Sequence, residues 1–334
     1  MNSPSARPLI WGPLPVTVVI LAVMAGVAVI SLGAGAQPIP VSDVISVLAR
    51  PDDSLASIIL WKLRLPRICI AILAGAALAA SGFVLQSVTR NPLASPSLTG
   101  VTAGASLFIV ACIVLFPSVS PLFYPVVGFA GGAVAALITL ALCGKGGRSP
   151  MRLALAGVTV SFLAAALTTL LMLESGSQSG TLFFWLSGGL QGRSWNHFWM
   201  LMPWGVGGIL GVLCCLRPMI LMSLGDDAAQ AMGAHVGLWR YLLVGLSVCL
   251  AGAVVSVAGP IGFIGLCIPH LARLMVPNNV LLSLIMAMAL GACLLLGADL
   301  LARSLAPPRE LPVGVLTALI GGPVLIALIY RQAR

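Results

Sequence analysis

Long unbroken apolar runs alternate with short polar, Pro- or Gly-marked breaks along nearly the whole chain. Runs near 9–35, 67–89, 97–116, 121–143, 151–173, 197–216, 238–258, 280–301 and 311–330 each approach or exceed 20 residues, the length that carries a helix across a hydrocarbon core of roughly 30 Å. They predict nine membrane-spanning helices. A tenth, shorter candidate is 259–275 (GPIGFIGLCIPHLARLM), whose Gly259-Pro260 start is able to turn the chain directly after the helix before it.

Charge decides whether the tenth segment counts. With ten spans and a cytoplasmic N-terminus, the inner segments hold ten cations: Arg7, Arg90, Lys145, Arg148, Arg152, Arg217, Arg240, Arg273, Arg331 and Arg334. The outer ones then hold seven: Arg50, Lys62, Arg64, Arg67, Arg193, Arg303 and Arg309. With nine spans the division falls to nine against eight, so the excess of cations on the cytoplasmic side favours ten. The first run ends in Ala34-Gly35-Ala36, similar to a signal-peptidase site, but it is far longer than the 7–15-residue apolar core of a signal peptide. It is read as a retained first span.

Composition agrees: 60% hydrophobic residues, 7% charged and a mean hydropathy of +1.12 exclude a soluble globular domain. The net charge of +9 is scattered and offers no nucleic-acid face. The expected fold is all-α and polytopic, a single transmembrane domain over 1–334 with about ten helices.

Catalytic chemistry has little foothold. Gly144-Lys145 is followed by Gly146 instead of the Ser or Thr that a phosphate-binding loop places on magnesium. His197, His235 and His270 lie on separate segments without metal-ligand spacing and are read as capping or interfacial residues. The eight cysteines lack CxxC spacing and read as small hydrophobes. Glu174 and Asp299 are the acids nearest the apolar runs, and Asp299 precedes Arg303 by one helical turn. The chain is read as no enzyme.

Two stretches carry more information than a turn requires. RNPLASPSLTG, 90–100, is a Pro-punctuated hinge on the inner side. MSLGDDAAQAMGAHVG, 222–237, predicts short helices, with Asp226 and Asp227 in the first turn after Gly225 and Gly233 as the stop. Such a helical loop is a handle for a soluble partner. In 67–89, Gly75 with Ala79 and Ala76 with Ala80 repeat small residues four apart on more than one face, which predicts a helix surrounded by others.

LRLPR (63–67), GAALAASG (75–82), RNPLASP (90–96), AGAS (103–106), LALAGV (153–158), SLGDDAAQAMG (223–233), GPIGFIGLCIPHLAR (259–273), and AD with LAR (298–303) leading to ELPVG (310–314) together resemble the permease subunits of type II ABC importers. This is the FecCD/BtuC-like family of ferric-siderophore, haem and cobalamin uptake. The resemblance runs from about residue 63 to the end; the first 60 residues fit only by hydropathy. It implies a ten-helix subunit with a central second helix. It also implies a cytoplasmic (inner) membrane location with both termini cytoplasmic, and alternating access driven from outside the chain. The implied partners are a second permease copy or sister permease, ATPase subunits that bind ATP and magnesium in place of any cofactor here, and a periplasmic or lipid-anchored substrate-binding protein.

By the same resemblance Arg64, Arg67 and Arg303 pair with acids of the binding protein. Ser223, Leu224, Gly225, Asp226, Asp227, Ala228, Ala231 and Gly233 belong to coupling helices that dock into the ATPase. Asn91 and Leu93 lie at the cytoplasmic gate, with a second gate element at Pro150 and Met151. The motifs look closer to the ferric-siderophore and ferric-dicitrate branches than to the haem or cobalamin branches. An ion-coupled carrier working alone is the rival from another class, and it gives the 223–233 helices no purpose.

Overall fold

Backbone polar groups find no water in a bilayer core, so apolar runs of this length close their hydrogen bonds internally as helices. The computed structural model describes residues 13–35, 37–143, 150–176, 179–277, 279–307 and 309–332; Arg7, Ala36, the Gly144-Lys145-Gly146 stretch, Arg148 and Arg334 lie outside them. The described helices are α1 Pro13–Gly33, α2 Val41–Ala49, α3 Leu55–Ile58, α4 Leu65–Thr89, α5 Val101–Leu115, α6 Tyr124–Cys143, α7 Pro150–Glu174, α8 Ser179–Leu186, α9 Trp195–Cys214, α10 Leu216–Ser223, α11 Asp226–Ala231, α12 Val236–Ala258, α13 Ile264–Met275, α14 Val280–Ser304 and α15 Val313–Gln332.

Among the described residues, seven segments are long and apolar enough to cross a membrane, and α5, α13 and α15 supply three shorter apolar helices. Together these are the ten segments expected from the hydropathy pattern. The second is longer than its apolar core: α3 continues through a π-helical turn, Ile59–Arg64, directly into α4.

The tenth segment differs from the simple helix the pattern predicted. Gly259 (φ 71°) ends α12, and Phe263 takes a left-handed φ of 67° before α13 starts. A residue with a Cβ pays about 1 kcal/mol or more in that region. The twelve residues of α13 rise only about 18 Å. Its first turn already lies beside the middle of α4, since a Cβ on Gly82 would fall 1.8 Å from the Gly265 carbonyl oxygen. Residues 259–275 therefore return from α12 as irregular backbone and then as a half-length helix.

α4 is the centre of the bundle. Nineteen of its 25 residues are buried, whereas in α1 only 11% of the span is. The expected small-residue face is the one used: a Cβ on Gly291 would sit 2.5 Å from the Gly75 carbonyl oxygen and 2.7 Å from the Ala79 Cβ. With α14 on that face and α13 at Gly82, backbones touch where side chains would otherwise hold them apart.

The two ends of α4, about 37 Å apart over 25 residues, define the two ends of the molecule. Arg67 in its first turn meets Asp299 and Glu310 near the end of α14 and the start of α15. Arg90 at its other end meets α10 and α11. These are called the arginine end and the hinge end below.

Candidate functional site

At the arginine end, α1 stops at Gly33 and its last carbonyls need donors. Arg64 donates through Nη1 to the Leu32 carbonyl and through Nη2 to that of Gln37. Arg303 donates to the Ser31 and Ala34 carbonyls, the latter at 3.0 Å, and to the Ser31 hydroxyl. Cations at a helix C-terminus satisfy both the orphan carbonyls and the negative end of the dipole. Arg67 bridges two acids, Nε to Asp299 Oδ1 and Nη1 to Glu310 Oε2, both at 2.8 Å. Asp299 Oδ2 is 3.6 Å from Arg303 Nε, an ion pair too long to be a hydrogen bond.

Arg64, Arg67 and Arg303, which the resemblance assigns to pairing with acids of a binding protein, are 6%, 8% and 5% exposed in this chain alone. Arg64 and Arg303 are engaged by carbonyls at the end of α1, and Arg67 by Asp299 and Glu310. The cations exposed at this end are Arg50, Lys62 and Arg309. The Asp299–Arg303 pair expected from spacing is present but secondary to Arg67, 232 residues away in sequence, which spacing could not reveal. Glu174 is exposed at the end of α7.

Beside this cluster opens a cavity of about 850 Å³ lined by Arg67, Glu310, Tyr124, Gln191, Arg193, Asn196 and His197 among others. His197 caps the start of α9 through reciprocal bonds with Ser194, the capping role expected of it. Burial pushes the Arg193 guanidinium below its ordinary range.

At the hinge end, 90–100 is a built turn. Arg90 takes a left-handed φ of 51°, Asn91 Oδ1 accepts from the Leu93 N–H at 3.0 Å, and Ser95 Oγ accepts from the Leu98 N–H. Neighbours hold it: Thr139 on α6 donates to the Thr99 carbonyl at 3.1 Å, and α7 crosses so closely that a Cβ on Gly157 would fall 2.0 Å from the Leu98 carbonyl oxygen. Helix α5 starts only after Gly100 (φ 80°), four residues later than the apolar run. Of the expected gate residues, Asn91 is buried as the turn-former, and Leu93 and Met151 are exposed at 43% and 70%. Pro150 opens α7.

Where short helices were expected over 222–237, the structure has one, α11, with Gly225 before it; α10, Leu216–Ser223, precedes the stretch and enters it only with its last two residues. Gly233 (φ 82°) ends α11 in a Schellman turn, Ala234 N–H to Ala229 carbonyl and Gly233 N–H to Gln230 carbonyl, each 2.9 Å. Ser223, Leu224, Asp227, Ala228, Ala231, Met232 and Gly233 face outward, while Met219, Met222 and Ala229 anchor the unit. Asp226 turns inward instead. It pairs with Arg90 at the hinge and, at 3.0 Å, with Arg240 on α12, and Arg90 Nε also donates to the Met222 carbonyl at 3.1 Å. The sequence reading missed this link, whose partners are 136 and 14 residues away.

Known proteins are similar to this chain over nearly its whole length. The family described as the FecCD transport family matches residues 20–331. An Fe(3+)-citrate import system permease protein of Bacillus subtilis (strain 168) is 39% identical over 96% of each chain. An Fe(3+) dicitrate transport system permease protein of Escherichia coli (strain K12) is 38% identical over 92% of this chain and 96% of its own. A metal-chelate type ABC transporter solved in an inward-facing conformation superposes with a TM-score of 0.80 at 31% identity, covering 95% of this chain and 99% of that one.

Proposed function

This chain belongs to the FecCD transport family, and on that premise we propose that it is the permease subunit of an ABC importer for a ferric chelate, working in the cytoplasmic membrane with its hinge end and both termini inside. The observation that carries the substrate class is the full-length match to the ferric-citrate permease. The α10–α11 unit supports the mechanism, because it is a compact surface handle ion-paired to the hinge.

The chain supplies a path and levers. ATPase subunits engage the outward face of α10 and α11, with Leu224 and Met232, 61% and 62% exposed, as apolar contacts. Movement there reaches the end of α4 through Asp226–Arg90 and the start of α12 through Asp226–Arg240. The 90–100 turn and the start of α7, with Asn91, Leu93, Pro150 and Met151, rearrange as the inner gate. A ligand-driven change of this kind needs contacts that differ between two states, and ATP binding on the partner supplies the bias. The binding protein docks on the arginine end. Arg50, Lys62 and Arg309 are the cations presented there, and the buried Arg64–Arg67–Arg303 cluster fixes the surface behind them. A second permease, identical or sister, completes the path.

The test is uptake of radiolabelled ferric chelates into proteoliposomes holding this chain, its ATPase and a binding protein. ATP-dependent uptake of a ferric chelate is expected. Uptake indifferent to ATP and driven by an ion gradient overturns the reading in favour of a secondary carrier.

A further inference from the structure

The cavity at the arginine end contains one charge that nothing described balances. Its two arginines differ: Arg67 is matched by Asp299 and Glu310, whereas Arg193, in the turn before α9, has no carboxylate partner among the described residues. Its Nε is buried without a hydrogen bond, and its Nη1 lies 3.3 Å from His197 Nε2. A guanidinium withdrawn from water without an anion is costly to the fold.

His197 is the neighbour of this charge. Its Nδ1 lies 3.3 Å from the Ser194 N–H and 3.1 Å from the Ser194 hydroxyl in the capping box, and a neutral imidazole facing Arg193 brings no negative charge. The uncompensated charge of Arg193 and its buried, unpartnered Nε–H require a counter-ion and an acceptor. A carboxylate, with two oxygens and one negative charge, meets both needs in the fork geometry arginine favours. Gln191 and Asn196 line the same wall and add amide donors and acceptors. The volume, about 850 Å³, lies within the usual range for small-molecule sites.

We propose that Arg193 and His197 form an anion subsite that takes a carboxylate of an incoming metal chelate, so that the permease itself favours anionic over neutral chelates. The inference rests on the chelate-permease reading above and adds to it the charge class of the cargo and the residues that select it.

The experiment is equilibrium dialysis of the permease–ATPase complex in nanodiscs against two radioiron probes, ferric citrate and a neutral iron trihydroxamate. In Arg193→Gln, citrate retention is expected to fall about ten-fold, the effect of losing a charge-assisted hydrogen bond, with the neutral probe unaffected. Arg193→Lys, which keeps the charge, recovers part of it. Unchanged citrate retention in Arg193→Gln, an equal fall for both probes, or no citrate retention by the parent overturns the subsite. ATP-driven uptake of ferric citrate by the parent system is measured beside it. If that uptake is present while dialysis fails, only the subsite falls; if it is absent, the inference falls together with the ferric-citrate reading beneath it.

Discussion

Replacing Asp299 by Asn is the sharpest probe of the arginine end, because it deletes one charge while preserving shape. Asp299 is fully buried, holds Arg67 at 2.8 Å and stands 3.6 Å from Arg303. With it, two carboxylates face three arginines; without it, Glu310 alone remains. The asparagine oxygen keeps a neutral bond to Arg67, but its NH₂ is turned toward the Arg303 donor. Breaking a buried ion pair from one side costs about 3–5 kcal/mol. Arg67 retains Glu310, whose side chain is 23% exposed, so the low end, about 3 kcal/mol, is expected. At roughly 2 °C per kcal/mol for a large chain, the melting temperature drops by about 6 °C. The eight cysteines are unpaired, which makes a thiol-reactive fluorophore in detergent a direct readout of unfolding. Glu310→Gln, at the cluster's wetter edge, should cost less than half as much. A melting temperature for Asp299→Asn equal to that of the parent would refute the reasoning, since it would mean that the carboxylate contributes no net stabilisation.

Asp226→Asn loses two ion pairs whose arginines are 43% and 40% exposed, so stability should fall by only about 1 kcal/mol while ATP-dependent uptake falls much further and ATP hydrolysis continues; equal loss of both would remove the proposed lever. Gly82→Ala places a Cβ 1.8 Å from the Gly265 carbonyl oxygen, with backbone on both sides and nothing flexible to yield. Overpacking of this kind costs about 1–3 kcal/mol or more, and a parent-like melting temperature would show that α13 does not press on α4. Reversing Arg50, Lys62 and Arg309 to Glu should abolish pull-down of the binding protein without lowering the melting temperature. Retained pull-down would move docking off these three cations.

Hydropathy made the spans legible because a bilayer leaves the backbone little choice: α6, α7, α12 and α14 fall within a few residues of the apolar runs. Breaks governed by backbone dihedrals were less legible. The 97–116 run conceals a turn through Gly100, and 259–275 conceals a left-handed Phe263, because an apolar side chain says nothing of its φ. The short helices α2 and α8 lie in stretches too short for a span pattern. α11 was legible from its punctuation, Gly225 before two acids and Gly233 after; α10, which precedes Gly225, was not. The arginine cluster was visible as residues but not as geometry. Only the Asp299–Arg303 pair was marked by spacing; the other partners, carbonyls at and just past the end of α1 and, for Arg67, acids more than 230 positions away, leave no local signature.

What the packing permits also limits what can move. α4 meets α14 at Gly75 and Gly291 and meets α13 at Gly82 and Gly265, with backbone against backbone at both places. Sliding or tilting α4 there would force carbonyl groups through one another, so these three helices shift as one body. The freedom lies where α4 ends. Arg90 and Gly100, both at positive φ, bracket nine residues that take one side-chain bond from Thr139 on α6 and one, at 3.4 Å, from Ser161 on α7, and that press against α7 at Gly157. The same Arg90 is gripped by Asp226 and the Met222 carbonyl. Asp226 couples α10 and α11 to the hinge through Arg90, while Met219, Met222 and Ala229 tie the same unit into the core, so a pull there is expected to load both at once.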